Sequence, residues 1–273
     1  MIEERPVAQH VTAHVASAPL LRADAISRRF GGVQALRDVS FDVDAGEVVG
    51  LIGPNGSGKS TCVNLLSGTI VPTGGRVLMA GEALRGARIE QAVARGVVRT
   101  FQATQVFAEF TALENVLVGC HTLYRTRPSA AALRSAAARR EEDVLREHAL
   151  ECLDFVGIAD RARASAGTMS AAEQRLLMIA VALAARPKVL LLDEPAAGMV
   201  AAERRALADV IRAMPGRGTA VLVIEHHMGL IMQVCDRIVV LNFGQKIAEG
   251  TPAEIRADES VVEAYLGTRQ DDA

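Results

Sequence analysis

Nine consecutive residues, Gly53-Pro54-Asn55-Gly56-Ser57-Gly58-Lys59-Ser60-Thr61, have the types and spacing to hold an anion. They fit the pattern G-x-x-x-x-G-K-S/T, in which glycines let successive backbone N–H groups turn inward around phosphate oxygens. Lys59 would meet β- and γ-phosphates as a point charge, and the Ser60 hydroxyl would offer an oxygen to Mg²⁺. A second chemical group, Asp193-Glu194, follows four apolar residues, Val189-Leu190-Leu191-Leu192. Two acids at the carboxyl end of a buried strand suit a metal and a water: Asp193 would hold Mg²⁺, directly or through water, and Glu194 would take a proton from the attacking water. A third group is Glu225-His226-His227. Neighbouring side chains on a strand point to opposite faces, so these histidines are poorly placed to share one metal, and one of them is read as a γ-phosphate sensor.

Three further positions are weaker taken alone. Gln102, just past a strand end, can ligate Mg²⁺ or orient water through its carbonyl oxygen. Phe30, beside Gly31 and Gly32, either stacks on a purine base, an interaction of about 1–3 kcal/mol per base in nucleic-acid sites, or packs in the core. Ser170-Ala171-Ala172-Glu173 fits the capping box S-x-x-E; capping alone accounts for it, while the exposed amides of that helix end also offer a phosphate contact.

These residues need a scaffold that brings them together. The apolar run 48–52 before the phosphate loop and the helical stretch after it predict a strand, loop and helix. Upstream, alternation predicts short strands at 23–27 and 39–43; downstream, a strand at 76–80, a helix at 89–95 and a strand at 97–101. From about 111 to 186 the chain reads as helical throughout, with Leu145, His148, Ala149, Cys152, Leu153 and Val156 on one face. The charge run Arg139-Arg140-Glu141-Glu142-Asp143 reads as a solvated helix face, and His148 as half-buried. A helix at 171–185, a buried strand from 189, a helix at 202–214, strands at 219–224, 236–242 and 246–248, and two small helices at 252–257 and 259–266 complete the expectation. Residues 1–20 read as a mobile extension to which no function is assigned, and 268–273 as a C-terminal tail.

Half of the 273 residues are hydrophobic, enough for a sizeable core. With 30 basic against 32 acidic side chains the net charge is −2, which gives no basic field for nucleic acid. The four scattered cysteines suggest neither zinc nor disulfides. The longest apolar stretch, residues 176–185, is far short of the roughly 20 residues that cross a bilayer, and the first twenty residues lack the apolar core of a signal peptide.

Taken in order, the phosphate loop, Gln102, the segment at 169–173, Leu192-Asp193-Glu194-Pro195 and Ile224-Glu225-His226 make the chain from about 21 to 267 resemble the ATP-binding subunits of ABC transporters. Phe30-Gly31-Gly32, the string from Gly96 to Gln102, Glu194-Pro195-Ala196-Ala197-Gly198 and Ile224-Glu225-His226 are similar to the branched-chain amino-acid import type, whose relatives also import other amino acids and urea. The resemblance implies an α/β P-loop NTPase cassette: a RecA-like core, an antiparallel β subdomain and an inserted helical subdomain at about 111–186. It implies ATP and Mg²⁺ as cofactors, Phe30 stacked on adenine, Gln102 at the metal and the transporter interface, Glu194 as catalytic base and His226 as switch histidine. It also implies a dimer of cassettes at the cytoplasmic face of the inner membrane, under permease chains served by an external solute-binding protein. Each ATP would lie between one chain's phosphate loop and the other's Ser170, Ala172 and Glu173. Two positions depart from the pattern: Ala172 replaces the second signature glycine, its methyl expected to face the partner's γ-phosphate, and Val200 stands where Asp or Asn is usual. These departures favour a heterodimer with one impaired site, and leave open a regulatory subunit that binds ATP with little turnover.

Overall fold

The computed structural model describes residues 18–84, 86, 88–100, 106–126 and 135–267. The first part of the chain runs β1 (Leu21–Phe30), β2 (Val33–Val43), β3 (Val48–Ile52), α1 (Lys59–Leu66), β4 (Gly74–Met79), β5 (Glu82–Ala83), α2 (Ile89–Ala94) and β6 (Val97–Thr100). A helical stretch follows: α3 (Ala112–Gly119), α4 (Ala136–Phe155) and α5 (Ala171–Ala184). Then come β7 (Val189–Asp193), α6 (Ala201–Ala213), β8 (Ala220–Ile224), α7 (Met228–Val234), β9 (Arg237–Asn242), β10 (Gln245–Gly250), α8 (Pro252–Ala257) and α9 (Glu259–Gly267).

Two sheets organise these elements. One is antiparallel, in the order β2-β1-β4-β5; the other runs β10-β9-β3-β8-β7-β6, parallel except for β10. Every residue of β3, β7 and β8 is buried, as continuous apolar strands covered on both faces must be. Alternate residues feed two cores. Val49, Leu51, Leu191 and Leu222 face α1 and the antiparallel sheet, while Val48, Ile52, Leu190 and Val223 face the helices. The strand carrying the phosphate loop is therefore held centrally, between β8 and β9.

Strands β1 and β2 are twice as long as their sequence suggests. Their pairing carries register shifts between Ala23 and Ile26, and Ala25 and Asp38 have positive φ, so bulges break the period-2 pattern while the ladder continues. The helical stretch is also less uniform than expected: a 3₁₀ turn spans Cys120–Leu123, and residues 156–170 hold turns, bends and the short 3₁₀ stretches Ala159–Arg161 and Ala166–Thr168 but no α-helix. The expected face of α4 is buried, and His148 is half-buried, its Nε2 3.1 Å from the Ala184 carbonyl at the end of α5. Of the charge run, Arg139, Arg140, Glu142 and Asp143 are exposed, but Glu141 accepts the backbone N–H groups of Arg125 (2.8 Å) and Thr126 (3.1 Å). All four cysteines are free and buried, and burial pushes the thiols of Cys62, Cys152 and Cys235 up to about 12. No helix among the described residues is long and apolar enough to cross a membrane.

Val200 caps α6 with a side chain that accepts no hydrogen bond, and only the returning half of a capping box exists, Val200 N–H to Glu203 Oε2 at 2.8 Å. Val200→Ser is expected to add about 1 kcal/mol of stability by supplying the missing acceptor. Thermal unfolding should show Tm rising by roughly 2–4 °C; a fall would mean that the valine contributes packing the cap cannot replace.

Candidate functional site

The phosphate loop leaves β3 through a residue that has to be glycine. Gly53 has φ of 151°, and a Cβ there would stand 2.1 Å from the Leu241 carbonyl oxygen on neighbouring β9. Gly58, at φ of 102°, then caps α1. Lys59 is only 7% exposed; its ammonium donates to the loop's own carbonyls at Gly53 (2.7 Å) and Pro54 (2.9 Å). Burial lowers its pKa, against the opposing pull of Glu194 and Asp193. Gly244, at the β9–β10 turn, donates its N–H to the Ser57 carbonyl at 3.0 Å and accepts from Arg37 N–H at 2.8 Å, tying the loop to both sheets. Tyr265 of α9 reaches the same loop: burial raises its hydroxyl's pKa, and a hydrogen bond from the Gly53 backbone opposes that rise.

A cleft of about 540 Å³ opens over residues 55–61, walled by Gln34, Ala35, Glu194, His226 and Phe243. Glu194 follows β7 with φ of 49°, a left-handed conformation held by its N–H to the Ile224 carbonyl at 2.8 Å. Its Oε1 lies 2.8 Å from His226 Nε2. The next acid, Glu225, is 5% exposed; its Oε1 accepts Ala196 N–H (2.7 Å) and its Oε2 accepts the N–H groups of His226 (3.0 Å) and His227 (3.2 Å). This carboxylate fastens the end of β8 to the loop after β7, and so sets where Glu194 and His226 meet. His227 faces elsewhere, its Nδ1 accepting Leu230 N–H at the start of α7; the two histidines diverge as expected, but both lie past the end of β8, and it is the capping of α7 that turns His227 away.

Asp193 is buried beside the cleft. Its Oδ2 accepts Arg99 Nη2 at 2.7 Å, and Arg99 Nη1 donates to Asn64 Oδ1 at 2.6 Å. No group of three or more His, Cys, Asp or Glu side chains among the described residues would hold a metal alone. The available donors, the Ser60 hydroxyl and the Asp193 carboxylate, are oxygens, which fits a Mg²⁺ shared with phosphates.

The other expected residues lie elsewhere. Phe30 is 46% exposed and carries the Arg28 guanidinium 4.7 Å from its ring centroid, so core packing is excluded, yet it does not line the cleft; Phe243, 85% exposed, does. Ser170 and Glu173 form a complete capping box: Glu173 N–H to Ser170 Oγ is 3.2 Å and Ser170 N–H to Glu173 Oε2 is 2.7 Å, with Arg161 on Glu173 Oε1 at 2.9 Å. They do not line their own chain's cleft. Ala172 corrects its expectation. It is 9% exposed within the helical core, so its methyl faces its own chain rather than an approaching phosphate. Gln102 lies outside the described residues, as do Phe101, most of the N-terminal extension and the tail after 267. Arg99, Asn64, Glu225 and Phe243 are contributors that sequence reasoning missed. Of these, Arg99 and Glu225 stood in strings quoted above without a role of their own.

Comparison with known proteins bears on this arrangement. A family model described as ABC transporter matches residues 36–197, and a second, described as branched-chain amino acid ATP-binding cassette transporter, matches 245–271. The high-affinity branched-chain amino acid transport ATP-binding protein BraF of Pseudomonas aeruginosa is 41% identical over 92% of this chain and 99% of its own. Its Escherichia coli counterpart LivG is 39% identical with the same coverage. Among solved structures, the ADP conformation of MJ1267, an ATP-binding cassette of an ABC transporter, superposes with a TM-score of 0.80 at 32% identity, covering 92% of this chain and 99% of that one. The dimeric post-hydrolysis state of the cassette MJ0796 bound to ADP and Pi gives 0.70 at 25% identity, covering 85% and 98%.

Proposed function

Because this chain belongs to the ABC transporter ATP-binding family and is the ATP-hydrolysing subunit of an importer, we propose that it powers uptake of branched-chain amino acids or a closely related small solute. The observation that carries the catalytic part of this reading is the 2.8 Å contact between Glu194 and His226 above the phosphate loop. A carboxylate held by an imidazole at that place can take a proton from water attacking a phosphate seated on residues 55–61. Lys59 would turn from the loop carbonyls to incoming phosphates, and Ser60 and Asp193 would hold Mg²⁺, which would supply charge neutralisation to the phosphates.

The second nucleotide contact comes from a partner cassette, whose own Ser170 region would close this cleft. The capping box presents the amides at the start of α5, and the inward methyl of Ala172 leaves them approachable, so the case for an impaired site rests on Val200, 62% exposed, rather than on Ala172. Membrane-spanning permease chains would dock on the groove of about 1000 Å³ between β4, α2 and the turn after α3, which is lined by exposed Ile89 and half-buried Val93 and Leu123. That arrangement sets the protein at the cytoplasmic face of the membrane, with the solute chosen by the permease and an external binding protein.

Lys59→Ala tests the phosphate assignment directly. Loss of the buried ammonium is expected to weaken ATP binding at least tenfold, read by calorimetric titration of the folded variant. Affinity equal to that of the parent chain would remove Lys59 from the site.

A further inference from the structure

Arg99 is used by none of the roles above, yet it makes the tightest charged contact near the nucleotide site. Its guanidinium and the Asp193 carboxylate are 11% and 8% exposed, 2.7 Å apart. The other arm of the fork reaches Asn64 Oδ1 at 2.6 Å, on the helix that begins with Lys59 and Ser60. The register explains the meeting: Arg99 on β6 lies opposite Leu191 of β7, so it points to the same face as Leu191 and Asp193, the face on which α1 packs. An arginine fork is suited to such a bridge because it is always charged and its donors are fixed in one plane.

We propose that Arg99 is a positioning residue that keeps the Asp193 carboxylate neutralised and fixed until nucleotide arrives, so that divalent metal enters with the nucleotide and not before it. The inference rests on the assignment of Asp193 to Mg²⁺. Lys59, Arg99 and Arg175 balance Asp193, Glu194 and the buried Glu225, and the positive end of the α1 dipole adds to the cationic side, so without nucleotide there is no excess negative charge to attract a lone dication. Phosphates reverse that balance. Arg99 then keeps one oxygen of Asp193 while the other is turned to the metal, and Asn64 keeps the guanidinium aligned with α1.

The test is Mn²⁺ alone, followed by electron paramagnetic resonance, against the nucleotide-free chain and its Arg99→Gln, Arg99→Lys and Arg99→Met variants. Gln retains hydrogen bonding and loses the charge; Lys retains the charge and loses the fork. The two neutral variants are expected to bind Mn²⁺ at least tenfold more tightly than the parent, the gain vanishing when Asp193→Asn is added, while Arg99→Lys stays as weak as the parent. A purely structural role would instead perturb the Lys and Gln variants alike. If either neutral variant, folded by circular dichroism, binds Mn²⁺ no better than the parent, or no better than the Lys variant, the proposal fails. The metal assignment is judged separately: Asp193→Asn in the parent should weaken Mn²⁺-dependent ATP binding. Failure of the first measurement with success of the second removes the role of Arg99 and leaves Asp193 in place.

Discussion

Glu194→Gln is expected to lower ATP turnover by about 10²–10⁴-fold, the range typical of general-base action, while ATP affinity stays within about twofold. Glutamine has the size of glutamate and still accepts a hydrogen bond from His226, so the 2.8 Å contact has a substitute. What it cannot do is take a proton. The backbone is unchanged by the replacement, which matters because residue 194 occupies φ of 49° and donates its N–H to Ile224. Such a conformation, costing about 1 kcal/mol or more, persists only where the surroundings impose it. Steady-state phosphate release with the partner cassette present, beside equilibrium ATP binding, separates the two quantities. Turnover within threefold of the parent would assign the base elsewhere.

Glu225→Ala should be the most damaging substitution for stability near the site. Three backbone N–H groups converge on this one buried carboxylate, at 2.7, 3.0 and 3.2 Å. Removing it leaves those donors without their charged acceptor; with bonds to charged groups contributing about 1.5–3 kcal/mol each and water compensating in part, a loss of about 3 kcal/mol follows. Thermal unfolding would register that as a fall in Tm of roughly 6–12 °C. Turnover should fall as well, because the same carboxylate fastens the strand end that carries His226 to the loop that follows Glu194. A variant with parental Tm would show the three amides to be satisfied by water.

The contrast between Glu194 and Glu225 shows what this sequence makes legible. The phosphate loop, the acid pair after β7 and the histidine after β8 are contiguous strings whose chemistry is local, so residue types and spacing suffice to find them. Glu225 looks like a spacer because its function lies in contacts to Ala196, 29 residues away. Arg99 is still more remote from its partner, 94 residues from Asp193, and nothing in a single sequence joins them. The inward turn of Ala172 depends on how α5 packs in the helical core, which the capping box does not specify. At β1 and β2 the difficulty was of another kind. Bulges shift side chains from one face to the other, so the alternation that marks a strand lapses while its hydrogen bonds do not.

The position of β3 also bears on how the protein is made. Its hydrogen-bonded neighbours, β8 and β9, begin at Ala220 and Arg237, far later in the chain. At translation rates of roughly 5–20 residues per second, the phosphate loop leaves the ribosome about ten to thirty seconds before the strands that flank it. During that interval Gly53 has no Leu241 carbonyl beside it, and Ser57 has no Gly244 amide to fix its carbonyl. A nascent chain interrupted before β9 thus carries the whole nucleotide motif without the two later contacts that help fix its shape. Tight ATP binding is therefore expected only of chains synthesised past the β9–β10 turn, and a shorter fragment is expected to compete poorly for nucleotide.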